Sequence, residues 1–73
     1  MGERHTEEMR LLGLTIAFYR RARGLTQSEL AEAVQISRTH MSNIEAPNTK
    51  TSISLNLLFD IAEALDIPVK DVF

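Results

Sequence analysis

Two helix-start signals, at Thr26 and at Ser37, stand so close together that the helix between them can only be short. Thr26 and Glu29 have the spacing of a capping box: the hydroxyl can accept from the amide three residues on, and the carboxylate can reach back. Leu25 before the cap and Leu30 after it can clasp as a hydrophobic staple. Leu30, Ala31 and Val34 give a buried stripe, and this helix should end near Ala33–Val34. Ser37 then caps a further helix, with Ile36 and Met41 repeating the staple. Met41 and Ile44 face inward, and Pro47 stops the helix near Glu45 or Ala46. Two short helices with so brief a connection must cross steeply. Ala31 is small where they would pack most closely.

The flanks are helical too. Met9, Leu12, Ile16 and Tyr19 recur at helical spacing over about Thr6 to Arg23. Gly24 suits the left-handed position after the basic turn Arg20–Arg23. A polar loop over residues 47–53 precedes a helix starting at Ser52 or Ser54 and running to Leu65. Its apolar arc is wider than one buried face needs. Pro68 fits the first turn of a final short helix carrying Val69, Val72 and Phe73. No alternating segment has hairpin turns around it, so the class is all-α. The 73 residues make one domain, 1–73, with residues 1–6 expected as a flexible N-terminus.

Composition narrows the functions. With no cysteine, thiolate zinc sites and thiol catalysis are excluded, and His5 and His40 alone make a poor metal site. Thr26 and Ser37 are caps rather than nucleophiles, and no enzyme constellation is present. No apolar run is long enough to span a bilayer and no secretory signal is visible, so no membrane is expected and a cytoplasmic location is; no cofactor is expected either. The net charge is −2. Its distribution matters more than its sum: residues 18–50 carry Arg20, Arg21, Arg23, Arg38 and Lys50 against Glu29, Glu32 and Glu45, while both ends are net negative. The outer side of the helix after Ser37 carries Arg38, Thr39, Ser42 and Asn43. These are side chains that read base edges in a major groove: an Arg fork for guanine, an amide for adenine, a Thr for the thymine methyl.

The stretch Leu25-Thr26-Gln27-Ser28-Glu29-Leu30-Ala31-Glu32 through Ile36-Ser37-Arg38-Thr39-His40-Met41-Ser42-Asn43-Ile44-Glu45 resembles the Cro/C1-type (XRE family) helix-turn-helix. Leu12-Gly13, Ile16, Arg20 and Gly24 resemble that family's first helix, and Leu58, Ile61-Ala62 and Ala64-Leu65 through Phe73 its last two. The resemblance covers about residues 9–73. It implies a five-helix lambda-repressor-like domain with its helix-turn-helix at 26–45 and a DNA-binding transcriptional regulator. By the same resemblance Arg38, Thr39, Asn43 and Ser37 read bases. Gln27, His40, Ser42, Asn48, Thr49 and Lys50 meet phosphate, and Arg20 with Glu45 forms a structural ion pair. The order Arg38-Thr39-His40 also resembles the Arg-Thr-aromatic start seen in restriction–modification controller proteins. Two departures stand out. Gln35 replaces the family's usual turn glycine, at roughly 1–2 kcal/mol if the left-handed conformation persists. Ala46-Pro47 replaces a common basic residue and glycine in a loop about two residues longer than the family's usual one.

Leu57, Phe59, Val69, Val72 and Phe73 are more apolar side chains than so small a core easily buries, and this surplus suggests an interface. Leu57, Ile61, Val69, Val72 and Phe73 are the expected surface of a homodimer, which would present two recognition helices to a pseudo-palindromic operator of double-stranded DNA. No small-molecule effector is expected. The rival reading is an antitoxin- or adaptor-like protein-interaction module, with DNA secondary or absent.

Overall fold

The computed structural model describes residues 6–46 and 53–72. Four α-helices follow in order: α1 Thr6–Ala22, α2 Gln27–Ala33, α3 Arg38–Glu45 and α4 Leu55–Leu65. A single 3-10 turn, Val69–Asp71, comes last. No strand occurs among the described residues.

The starts form as the hydroxyls dictate. The Glu29 amide donates to Thr26 Oγ1 at 3.0 Å, and the Thr26 amide donates to Glu29 Oε1 at 2.8 Å. This is a complete capping box. Ser37 Oγ accepts from the His40 amide at 3.0 Å. Of the two serines that could start α4, Ser54 does so, accepting from the Leu57 amide at 3.1 Å.

Three helices end in one way. After α1, the Leu25 amide donates to the Arg20 carbonyl at 3.0 Å and the Gly24 amide to Arg21 at 2.9 Å. After α2, Ile36 donates to Ala31 at 3.0 Å and Gln35 to Glu32 at 3.2 Å; after α4, Ile67 donates to Ala62 and Asp66 to Glu63, both at 3.0 Å. Each is the Schellman pairing of a helix end, and each is followed by an apolar residue packed on the core: Leu25, Ile36 and Ile67. The left-handed residue is Gly24 (φ 74°) in the first, Gln35 (φ 63°) in the second and Asp66 (φ 59°) in the third. So the turn between α2 and α3 keeps its left-handed shape without glycine.

The core is one cluster. Leu12 and Ile16 of α1, Leu30 and Ala31 of α2, Met41 and Ile44 of α3, and Leu58, Ile61, Ala62 and Leu65 of α4 meet in it, with Val34 and Val72. Helix α3 packs on both α1 and α2, and α4 packs on the same two. Gly13 lies where α1 crosses α3. A methyl group there would fall on the Ile44 carbonyl oxygen, so only glycine permits this approach.

Two expectations need correction. The last element is one 3-10 turn and not a fifth α-helix. Pro68 is extended (φ −64°, ψ 145°) and stands before the turn, so only Val69–Asp71 are wound. So short a turn favours the tighter hydrogen bonds of a 3-10 helix. The expected dimer surface also changes. Ile61 and Val72 are fully buried in the core and have no surface for a partner. Leu57 and Val69 are half-buried against that core, and Phe73 lies outside the described residues. The large apolar side chains that do face solvent are Leu11, Leu14 and Phe18 on α1 and Leu55 and Phe59 on α4.

Candidate nucleic-acid interface

Helix α3 has two opposed faces. Met41, Ile44 and Glu45 are buried; Arg38, Thr39 and Asn43 are exposed; His40 and Ser42 are half-buried between them. The division follows from helical periodicity, since Met41, Ile44 and Glu45 lie three and four residues apart. Ser37 is exposed at the entrance, its hydroxyl engaged as the cap. The one acid in α3 is Glu45, which points inward, so the outward face carries the Arg38 guanidinium and no carboxylate.

A polar network holds the far end of α3 in place. Arg20 Nε donates to Glu45 Oε2 at 2.7 Å and Arg20 Nη2 to Glu45 Oε1 at 3.0 Å. Both residues are buried. Arg20 Nη1 donates to the Leu25 carbonyl at 2.7 Å, and Gln27 Nε2 to Glu45 Oε1 at 3.0 Å. The end of α1, the turn after it, the start of α2 and the end of α3 are thereby joined. A carboxylate at a helix C-terminus is unfavourable by itself. The bidentate guanidinium offsets this and leaves every buried side-chain polar atom among the described residues with a partner.

Gln27 therefore has a place in this network, with one amide hydrogen spent on Glu45 and one remaining. The capping box leaves the Gln27 and Ser28 backbone amides without an intrahelical acceptor at the start of α2. Asn48, Thr49 and Lys50 lie outside the described residues.

Arg23, in the basic turn before Gly24, has a structural task. Its Nε donates to the Leu65 carbonyl at 2.7 Å and its Nη2 to the Asp66 carbonyl at 3.1 Å. It satisfies the last carbonyls of α4 from the end of α1. Nothing local in the sequence points to those acceptors, which lie more than forty residues along the chain. Gly13 fits the family's first helix by resemblance, but which element approaches it is visible only in the fold, where a glycine inside a helix marks a close approach.

Among the described residues, no group of three or more His, Asp or Glu could hold a metal ion, and no helix is long and apolar enough to cross a membrane.

A family model described as helix-turn-helix matches residues 16–72. The HTH-type transcriptional regulator SinR of Bacillus subtilis is 34% identical over 59 residues. That match covers 81% of this chain and 52% of the relative, so the chain spans about half the length of that protein. The restriction–modification controller protein C.AhdI of Aeromonas hydrophila superposes with a TM-score of 0.83 at 27% identity, over 92% of this chain and 98% of that one. The structure of SinR, the master regulator for biofilm formation, in complex with DNA gives a TM-score of 0.75 at 33% identity, over 84% of this chain and 95% of that one. With the capped α2 and α3, the left-handed turn between them and the match over most of its length, this chain belongs to the Cro/C1-type (XRE) helix-turn-helix family, a family of DNA-binding transcription regulators and not of enzymes.

Proposed function

We propose that this chain is a cytoplasmic transcriptional regulator that binds double-stranded DNA sequence-specifically, as a homodimer on a pseudo-palindromic operator. One observation carries the reading. Helix α3 is locked on its inner side by Arg20, Glu45, Met41 and Ile44, while its outer side offers Arg38, Thr39 and Asn43 with no acid among them. Rigid support behind and cationic, hydrogen-bonding groups in front suit insertion into a major groove. The DNA-bound structure of SinR supports the same use of the fold.

In this reading Arg38, Thr39 and Asn43 contact base edges, with Ser37 at the groove entrance. Gln27, His40 and Ser42 contact phosphate, with Asn48, Thr49 and Lys50 from the residues after α3. Phosphate contacts set register and base contacts set sequence preference. Binding weakens as salt rises, because counterions released on binding are harder to release into concentrated salt.

The test begins with selection from random duplexes. Fluorescence anisotropy on the selected duplex then compares wild type with Arg38→Ala. The variant is expected to lose about 1–3 kcal/mol of binding and to relax preference at one base position. Selection that yields no preferred sequence, or a variant with unchanged affinity and preference, overturns the reading and leaves the protein-interaction module in its place.

A further inference from the structure

Helix α1 is apolar on two opposite sides. Leu12 and Ile16 face the core, with Met9 and Tyr19 packed against it. On the other side Leu11, Leu14 and Phe18 are 49%, 40% and 64% exposed. They are spaced three and four residues apart, so they form one stripe. Continuing that spacing outward reaches Glu7 at one end and Arg21 at the other, both exposed. The whole run, Glu7-Leu11-Leu14-Phe18-Arg21, has the alternating four-and-three spacing of a helix-pairing seam. A helix of this kind with only one apolar side would be satisfied by the monomer core; one with two is not.

We infer that the outer face of α1 pairs with the same face of a second copy of this chain, the two helices running antiparallel about an axis at Leu14. The charges choose both partner and direction. Glu7 and Arg21 each lie about 10 Å from Leu14 along the helix, at 1.5 Å per residue. Antiparallel pairing therefore sets each Glu7 against the partner's Arg21 at the same height, twice by symmetry. Parallel pairing would set like charge against like. The Glu7 carboxylate is held in this structure by Arg10, at 2.6 Å on an exposed surface, a contact weak enough to be exchanged. Phe18 is steadied for contact by the edge of Tyr19, with ring centroids 5.2 Å apart at 83°. One helix per copy gives a small interface, so the association is weak and reversible.

The pairing belongs to the free protein and stands or falls apart from DNA binding. Sedimentation of the full chain over about 10 µM to 1 mM compares wild type, E7R, R21E and the double variant E7R/R21E. Each single reversal turns two attractions into two repulsions and is expected to weaken association about tenfold, while the double variant restores it. A second measurement uses the absence of cysteine from the sequence. L14C places one thiol beside its own copy, so mild oxidation is expected to give a linked dimer, whereas E32C on the exposed side of α2 stays monomeric under the same conditions. Circular dichroism reports that each variant is folded. Single reversals without effect, a double variant that does not recover, or L14C that links no better than E32C overturns the inference. Wild type that stays monomeric throughout overturns it too and gives the stripe to a partner of different sequence.

Discussion

Helices α1 and α3 are held from behind by the same core, yet their outer faces are opposite in character. The outer side of α3 is polar and free of acid, with Arg38, Thr39 and Asn43 exposed. The outer side of α1 is apolar, with Leu11, Leu14 and Phe18 exposed. Both inner sides are tied together by Arg20 and Glu45 and by the close approach at Gly13. Packing constrains only the inner half of each helix. The outer half is left unconstrained by the core, and its character is set by sequence alone: polar on α3, apolar on α1.

The largest effect on this arrangement comes from breaking what the two helices share. Arg20→Met leaves Glu45 buried with only the Gln27 amide. Removing one partner of a buried pair costs about 3–5 kcal/mol. Chemical denaturation should register that loss, and DNA affinity should fall with it because α3 loses its anchor; Arg38→Ala, by contrast, should leave stability within about 0.5 kcal/mol of wild type.

Gly13→Ala probes the same junction by volume. The added methyl meets backbone at Ile44 and cannot be relieved by a side-chain rotation. Overpacking of this kind costs about 1–3 kcal/mol, and the helices must separate to admit it. A thermal melt that shows no loss would mean that α1 and α3 are looser than this packing implies.

A smaller effect of opposite sign is expected at the turn into α3. Gln35 is exposed and left-handed, so Gln35→Gly relieves strain at some cost in unfolded-state entropy. A net gain of about 0.5–1 kcal/mol is expected, with DNA affinity unchanged, since the backbone shape is already present. A loss of affinity would show that the Gln35 side chain itself takes part in binding.

The smallest effect lies at the exposed end of α1. The hydrogen bond and charge of Arg10 hold the Glu7 carboxyl below its ordinary range. A depressed folded value stabilises above the unfolded value and is lost as pH falls through the folded one. NMR titration of Glu7 should therefore give a midpoint on the acid side of an unpaired glutamate, and Arg10→Ala should move it back up.

Much of this was legible in the sequence. Thr26 with Glu29, and Ser37 with its following amide, announce α2 and α3 because a cap acts over three residues of chain. Gly24 likewise announces the end of α1. The polar outer face of α3 follows from the spacing of Met41 and Ile44. Other features were not legible. Gln35 takes the left-handed conformation that glycine usually supplies, because the Ile36-to-Ala31 pairing and the burial of Met41 outweigh its local cost. Pro68 suits the first turn of a short helix, but the proline stands outside the 3-10 turn that forms.

The apolar surface shows the division most clearly. Of the apolar residues expected at the surface toward the C-terminal end, Phe59 does face solvent, yet Ile61 and Val72 complete the core, while Leu11, Leu14 and Phe18 of α1 are exposed instead. Sequence by itself determined where α2, α3 and the end of α1 lie, and which side chains α3 turns outward, because caps, staples and periodicity act between near neighbours. Tertiary structure alone decided which apolar side chains are consumed by the core, where Arg23 finds its carbonyls and why Gly13 must be glycine. Those outcomes depend on how elements distant in the chain meet, and a residue's type does not say which of two apolar faces the packing will use.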